Sequence, residues 1–335
     1  MLRYGVIGYG YWGPNLVRVL NQAKQSTVTA VADKVAENRD RVTGLYPRIA
    51  VFEDASAIIN HPDVDVVVVA TPVSTHFDFA SAALRAGKHV LVEKPLCATY
   101  AQAQALVTLA RDVGRQIFTD HTFVYTSAVK RISEMAAAKE LGRVLYYDST
   151  RINLGLFQND VNVIWDLVVH DLAILEVTMP HQPTAISAIA LDPTGSALAS
   201  VAYVTLFYPD NAVAHIHASW LAPVKIRQVI VGGDKSMVVY NDLDPSEKIR
   251  IYDKGIDVIR DKEQQRAMKI EYRIGDMRAP NLDTKEALSV MAAHANDCFI
   301  NNKLAQTSGE VGSRIVRLLE LADLSAKQVG AVISL

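Results

Sequence analysis

Residues 8–13 read Gly8-Tyr9-Gly10-Tyr11-Trp12-Gly13, between an apolar run, Arg3 to Gly8, that reads as a strand and a helical stretch, Asn15 to Gln22. A Gly-x-Gly-x-x-Gly run in that setting restricts the fold more than any other feature, because each glycine answers a separate demand. The first permits a tight turn, the second lets a pyrophosphate approach the backbone, and the third lets the helix lie close on the strand. Pro14 is tolerated in a first helical turn, whose N–H groups face the phosphates of a dinucleotide. Asp33 closes the second expected strand, Thr27 to Asp33, where a carboxylate accepts hydrogen bonds from the adenosine ribose and repels a 2′-phosphate. That favours NAD, although Lys34 beside it could attract a phosphate. Gly8 through Gly13, Asp33 and Lys34 are therefore expected at the cofactor.

Up to about residue 120, short apolar runs alternate with helical stretches, as in repeated βαβ units around a parallel sheet. Further strands are expected at Asp65 to Ala70, His89 to Val92 and Gln116 to Thr119, with a helix from Thr75 to Ala86. Open α/β sheets bind ligands at the carboxyl ends of their strands. Thr71, Pro72 and His76 follow one such end, and Glu93-Lys94-Pro95 another. His76 reads equally well as a helix-end residue that packs or caps. After residue 140 the pattern changes to one helix, Ile164 to Thr178, then β-rich runs at 185–191, 199–207, 212–220, 226–232 and 235–241. Two helices, Thr284 to Ile300 and Gly309 to Val329, close the chain. A chain of 335 residues exceeds the usual single core, and two domains are expected, 1–120 and 121–335.

Within Trp165-Asp166-Leu167-Val168-Val169-His170-Asp171, a spacing of four puts Asp166 and His170 on one helix face. A carboxylate that orients an imidazole makes a general base; the alternative is a surface ion pair. Asp171 reads as the solvated or capping member. Rival dehydrogenase chemistries lack their residues: the chain has no Tyr-x-x-x-Lys, and Cys97 and Cys298 are two isolated thiols that make no zinc cluster. No metal is expected. With 34 basic and 36 acidic residues the formal charge is −2, and nothing suggests nucleic acid as a partner. The isolated cysteines, the absence of a targeting pattern and the shortness of the apolar stretch Val64 to Ala70 point to a cytoplasmic protein without a membrane span.

The glycine run, Glu93-Lys94-Pro95 and Asp166-x-x-x-His170, in that order and spacing, resemble the Gfo/Idh/MocA oxidoreductases over essentially the whole chain. Ser219-Trp220 followed by Pro223, Lys225 and Arg227, and Gly275-Asp276 followed by Pro280, are similar to a nucleotide-sugar branch. The resemblance implies an α/β fold: an N-terminal Rossmann domain with a doubly wound parallel sheet, plus a C-terminal α/β domain with a large, open, mostly antiparallel sheet. It implies that this sheet pairs subunits into homodimers or homotetramers. It further implies that Lys94 and His170 flank a reacting carbinol, with Asp166 behind the histidine and a cis peptide bond before Pro95. His121, Phe123, Tyr125, Asn153, Asn162, Trp165 and His170 are candidates for a sugar pocket, mixing polar orienters with apolar walls. The implied reaction is NAD-dependent oxidation of the C3 hydroxyl of a nucleotide sugar, UDP-N-acetylglucosamine. A free polyol or sugar is the alternative substrate, and a non-catalytic NAD-binding regulator is the alternative role. Lys225 and Arg227 share a strand face suited to the pyrophosphate or to a subunit interface.

Overall fold

The structure is a computed structural model that describes residues 1–154, 158, 160–253, 255–257, 271–273 and 275–335. These form two compact units, one made of Met1–Thr126 with Lys285–Glu320, the other of Ser127–Thr284 with Leu321–Leu335. A single cut between 120 and 121 leaves the closing helices with the second half; the contacts instead group residues 285–320 with the first.

The first unit runs β1 (Leu2–Ile7), α1 (Gly13–Gln22), β2 (Ser26–Ala32), α2 (Ala36–Leu45), β3 (Ala50–Phe52), α3 (Ala55–Ile59), β4 (Val66–Val69), α4 (His76–Arg85), β5 (His89–Glu93), α5 (Tyr100–Asp112) and β6 (Ile117–Asp120). The six strands form one parallel sheet in the order β3-β2-β1-β4-β5-β6, as expected of a doubly wound fold. Val66 through Val69 are completely buried. That explains why the strand is a continuous apolar run: a parallel sheet is covered on both faces. α1 buries Leu16, Val17, Val19 and Leu20, the stripe that an amphipathic helix presents to a core. β3 was not expected from the sequence; it is a three-residue edge strand with every residue half-buried, too short to leave a periodic signal.

The second unit carries α6 (Ser127–Ala137), β7 (Val144–Leu154), a π-helical turn (Ile164–Val168), α7 (Val169–Thr178), β8 (Ala185–Leu191), β9 (Val201–Phe207), β10 (Val213–Ser219), β11 (Leu221–Gly233), β12 (Met237–Asn241), β13 (Ile249–Tyr252), β14 (Gly255–Asp257), β15 (Glu271–Arg273) and β16 (Met277–Arg278). The chain ends with α8 (Ala287–Asn301), α9 (Gly309–Lys327) and β17 (Ile333–Ser334). Nine strands form a sheet in the order β16-β13-β12-β11-β7-β10-β9-β8-β17, with β14 and β15 paired separately. β7 and β10 run parallel and the other neighbours antiparallel, so the sheet is mostly antiparallel as expected. Its two faces differ. Ile186, Ala188, Ala202, Val204, Leu206, Ala214 and Ile216 are buried, whereas Ile189, Tyr203 and Phe207 on the opposite face are exposed. Alternation of this kind marks an antiparallel sheet covered on one side.

β7, the central strand of this sheet, is not among the strands expected from the sequence. Its middle reads Asp148-Ser149-Thr150-Arg151, which has no apolar alternation to find. The inward positions are instead filled by a polar network. Asp171, on α7, is fully buried: its Oδ1 accepts from the Tyr147 hydroxyl at 2.9 Å and from Ser149 Oγ at 2.6 Å, and its Oδ2 accepts from Arg151 Nε at 2.8 Å. Asp171 is therefore not the solvated or capping residue expected from its place in the helix; it is the anchor that ties α7 to β7. Burial, then the Asp171 charge, pushes the Tyr147 phenol far above its ordinary range, so the ring stays a donor. The Arg151–Asp171 pair sits at 5% and 0% side-chain exposure, where loss of one partner strands the other charge. Asp171→Ala is expected to cost about 3–5 kcal/mol of unfolding free energy, while Arg151→Met with Asp171→Leu recovers much of that loss. Urea unfolding of the two variants measures it, and a near-neutral Asp171→Ala would show that the pair anchors nothing.

Candidate active site

In the first unit, Gly8 leaves β1 with φ +97°, a conformation that side chains rarely adopt, and a Cβ there would stand 2.5 Å from the Ala70 carbonyl oxygen. Gly13 is equally committed, since a Cβ would meet the Gly8 carbonyl oxygen at 2.2 Å. Gly10 differs: its Cβ position meets nothing within 4 Å, so the loop is open where a pyrophosphate would approach. α1 begins with Pro14 in its first turn, no side-chain cap on its N-terminus and no acidic residue there, which leaves that end to an anionic ligand. Asp33 follows β2, and its Oδ2 accepts from the Tyr9 N–H at 2.6 Å while Oδ1 accepts from the Val35 N–H at 2.8 Å. Each oxygen keeps a further lone pair for a ribose hydroxyl. Lys34 is exposed and so is Tyr11, whereas Tyr9 is buried under Arg41. The loop, the open position at Gly10 and Asp33 together fit an NAD cofactor.

His76 stands between the segments that follow β4 and β5, within hydrogen-bonding distance of a carbonyl from each. This buried imidazole places Nδ1 2.9 Å from the Pro95 carbonyl oxygen and Nε2 2.8 Å from that of Thr71. Thr75 Oγ1 donates to the Pro72 carbonyl at 2.8 Å, so Thr71 donates to Thr75 over 2.7 Å. The Lys94-Pro95 bond is cis, as the family resemblance implies. At the paired ends of β5 and β6, Glu93 lies opposite Asp120. Lys94 N–H donates to Glu93 Oε2 at 3.2 Å, and Trp12 of the glycine loop donates from Nε1 to Asp120 Oδ2 at 3.1 Å. Asp120 was not singled out by the sequence reading, although a carboxylate ending an apolar strand next to His121 is a signal that could have found it. His121 is buried with neither ring nitrogen hydrogen-bonded among the described residues, and burial, then Lys94, pushes it down to about 3. It is a neutral imidazole across the physiological range. Tyr125 is a core residue: its ring packs on Phe118 and His294, and its hydroxyl is 3.0 Å from Thr307 Oγ1. Phe123 is half-buried in the same short turn.

In the second unit, Asp166 lies in the π-helical turn and His170 in the first turn of α7, both half-buried. Trp220, itself buried, donates from Nε1 to Asp166 Oδ2 at 3.1 Å, which gives Ser219-Trp220 a structural reason. Asn162 and Trp165 act on the backbone and on α9. The Asn162 side-chain oxygen accepts from the N–H groups of Ile164 and Trp165, and its amide and the Trp165 indole donate to the two oxygens of Asp323 at 2.9 and 2.7 Å. These contacts hold the turn that carries Asp166. Asn153 is half-buried near the end of β7. Lys225 is exposed, and Arg227 pairs with Asp242 at 3.3 Å. A cleft of about 630 Å³ in this unit, floored by Val144, Met179 and Tyr208, includes none of the predicted site residues; it lies at the far end of α7 from His170. Among the described residues no group of three or more His, Cys, Asp or Glu is arranged to hold a metal, and no helix is long and apolar enough to cross a membrane.

Comparison with known proteins fits this geometry. Residues 2–121 match the family model described as oxidoreductase family, NAD-binding Rossmann fold, and residues 129–239 match the GFO/IDH/MocA C-terminal domain. The chain belongs to the Gfo/Idh/MocA oxidoreductase family. It is 31% identical over 261 residues to the uncharacterized oxidoreductase YdgJ of Escherichia coli (strain K12), covering 74% of this chain and 73% of that one. It is 28% identical over 224 residues to UDP-N-acetylglucosamine 3-dehydrogenase of Acidithiobacillus ferrooxidans, covering 65% and 67%. The solved structure of that enzyme superposes with TM-score 0.83 over 98% of both chains at 22% identity. Aldose-aldose oxidoreductase from Caulobacter crescentus superposes with TM-score 0.84 over 100% of this chain and 99% of that one, at 19% identity. As a Gfo/Idh/MocA protein the chain is an NAD-binding oxidoreductase.

The three glycines separate binding from folding. Gly10→Ala is expected to fold normally and to weaken NAD by about tenfold or more, roughly 1.4 kcal/mol, because its methyl enters the space the phosphates need. Gly13→Ala instead drives a methyl into the Gly8 carbonyl and lowers the melting temperature. NAD titration by tryptophan fluorescence, with thermal melts of each variant, reads both; undiminished NAD affinity in Gly10→Ala would contradict the assignment.

Proposed function

We propose that the protein oxidises a secondary hydroxyl, at C3, of a nucleotide sugar of the UDP-N-acetylglucosamine type, with NAD as the acceptor. The observation that carries this reading is the presence of Lys94, Asp166 and His170 in a chain whose fold also superposes on UDP-N-acetylglucosamine 3-dehydrogenase along nearly its full length. Bound NAD supplies the hydride acceptor. His170 takes the hydroxyl proton as general base, and Asp166 stabilises the imidazolium that forms. Asp166 is itself held by the Trp220 indole, which aims one of its oxygens. Lys94 donates to the substrate oxygen as negative charge develops on it. Gly8 to Gly13, Asp33, Thr71, Pro72, His76 and Glu93 border the cofactor, with His76 acting as a brace between the Thr71 and Pro95 carbonyls rather than as a ligand. Among the pocket candidates, His121 is favoured, since both of its buried ring nitrogens meet no hydrogen-bond partner among the described residues. Asn162, Trp165 and Tyr125 serve the scaffold.

A second reading, oxidation of a free sugar or polyol, is favoured by the equally close superposition on an aldose-aldose oxidoreductase. Purified protein with NAD, tested on UDP-N-acetylglucosamine, glucose and inositol and read by NADH absorbance, separates the two; turnover on the free sugars alone would replace the first reading with the second. His170→Ala is expected to lower kcat by about 10²–10⁴ with NAD affinity unchanged. Unchanged turnover in that variant would remove the histidine from the mechanism. We also propose that copies associate through the sheet face that exposes Ile189, Tyr203 and Phe207, since adjoining apolar side chains of this size mark association surfaces. Tyr203→Glu is expected to reduce the molar mass measured in solution by light scattering.

A further inference from the structure

Glu93 and Asp120 end neighbouring parallel strands as register partners, and their carboxyl groups lie within hydrogen-bonding reach of each other. Two carboxylates offer only acceptors, so a bond between them requires one proton. The surroundings decide which group holds it. Asp120 is buried and accepts from two side-chain donors, Trp12 Nε1 on Oδ2 at 3.1 Å and Thr122 Oγ1 on Oδ1 at 2.6 Å. Glu93 accepts the Lys94 N–H on Oε2, while its Oε1 is buried and meets no donor among the described residues. A proton on Glu93 gives the pair its missing donor. The other titratable groups acting on the pair are Lys94 beside Glu93, the neutral His121 beside Asp120, and the buried Tyr125 phenol. Burial, then the Asp120 charge, holds Glu93 well above the ordinary carboxylate range, with Lys94 opposing.

We propose that the Glu93–Asp120 pair carries one shared proton in the free protein and gives it up when oxidised NAD binds, so that the pair discriminates NAD⁺ from NADH. The inference rests on the placement of the cofactor along the ends of β1, β4 and β5 argued above. The nicotinamide ring of NAD⁺ is cationic, and a cation near the pair stabilises its second negative charge and expels the proton. The ring of NADH is neutral and leaves the proton in place. The only bond that breaks is the Glu93 O–H: the proton passes to water or buffer on binding, leaving the electron pair on the carboxylate, and returns when the ring becomes neutral. Trp12 makes the pair part of the binding loop, since the indole of the glycine run donates to Asp120 Oδ2. The sign follows from linkage. Because the folded pair binds its proton more tightly than the unfolded chain does, its share of stability is complete below the ordinary glutamate range and is lost as pH rises through the raised value. Over that same window NAD⁺ affinity rises by up to about tenfold per pH unit, and NADH affinity does not.

Isothermal titration of the full-length protein with NAD⁺ and with NADH, near neutral pH in two buffers of different ionisation enthalpy, counts the protons directly. Wild-type protein is expected to release a proton with NAD⁺ and none with NADH. Glu93→Gln and Asp120→Asn each abolish the release, the first by removing the acid and the second by giving Glu93 an amide donor in place of a repelling carboxylate. Should either variant fail to fold, the wild-type comparison of NAD⁺ with NADH decides alone. Equal release with both cofactors, no release with NAD⁺, or release that persists in a folded variant overturns the proposal. Turnover on sugar substrates is read separately: proton coupling without turnover on any nucleotide sugar sinks the proposed function and leaves the pair standing, and turnover without coupling does the reverse.

Discussion

The hydrogen-bond ladder of the parallel sheet sets everything functional in the first unit. Ile7 pairs with Val69, Val69 with Val92, and Val92 with Thr119, so the chain leaves β1, β4, β5 and β6 along one row. Gly8, Ala70, Glu93 and Asp120 stand on that row because each is the next residue, or the last, of its strand. The valines that fill the strands are buried on both faces, and a slip of one residue would turn them outward or into neighbouring backbone. Hence the register is rigidly specified, and with it the approach of Gly8 to the Ala70 carbonyl and the meeting of Glu93 with Asp120. His76 and Trp12 then lace this row together, the first through two carbonyls and the second through Asp120.

The second unit reaches a comparable rigidity by other means. Its central strand has a polar middle, and what would be a core of methyl groups is a carboxylate receiving three hydrogen bonds. A buried ion pair of this kind costs about as much desolvation as it returns in attraction, so its value lies in specifying one arrangement, since any other leaves a charge stranded. The arrangement it specifies seats α7, and α7 carries His170. The wider hydrogen-bonding step of the π turn just before it contains Asp166, which Trp220 holds, while Asn162 and Trp165 fasten the turn to Asp323. A π turn inside a helix is a common device at functional positions.

A shared fold does not choose a substrate. Relatives with this architecture include proteins named for nucleotide sugars and for aldoses, and the fold is nearly the same in both. In this chain the strand ends carry the dinucleotide loop and Lys94, and the π turn and α7 carry Asp166 and His170.

The features legible in the sequence were those that a local rule generates. Glycine spacing, the acidic residue after β2, apolar runs ending in Ala70 and Val92, and the spacing of four between Asp166 and His170 each follow from backbone geometry within a few residues. They yielded the parallel sheet, the cofactor loop and the candidate catalytic groups. The features decided by tertiary structure are those in which distant segments supply one another's partners. Asp171 looks like a solvated helix residue until Tyr147, 24 residues away, and Arg151, 20 residues away, close around it. Asn162 and Trp165 show no local sign of Asp323, which accepts from the amide of one and the indole of the other. β7 carries no apolar alternation because its partners are polar, and Asp120, marked locally only as a carboxylate ending an apolar strand, meets Trp12 and Glu93 only in the fold. Burial and partner choice are long-range properties, set by which strands pair, and a single chain read in order holds the groups without showing which of them meet.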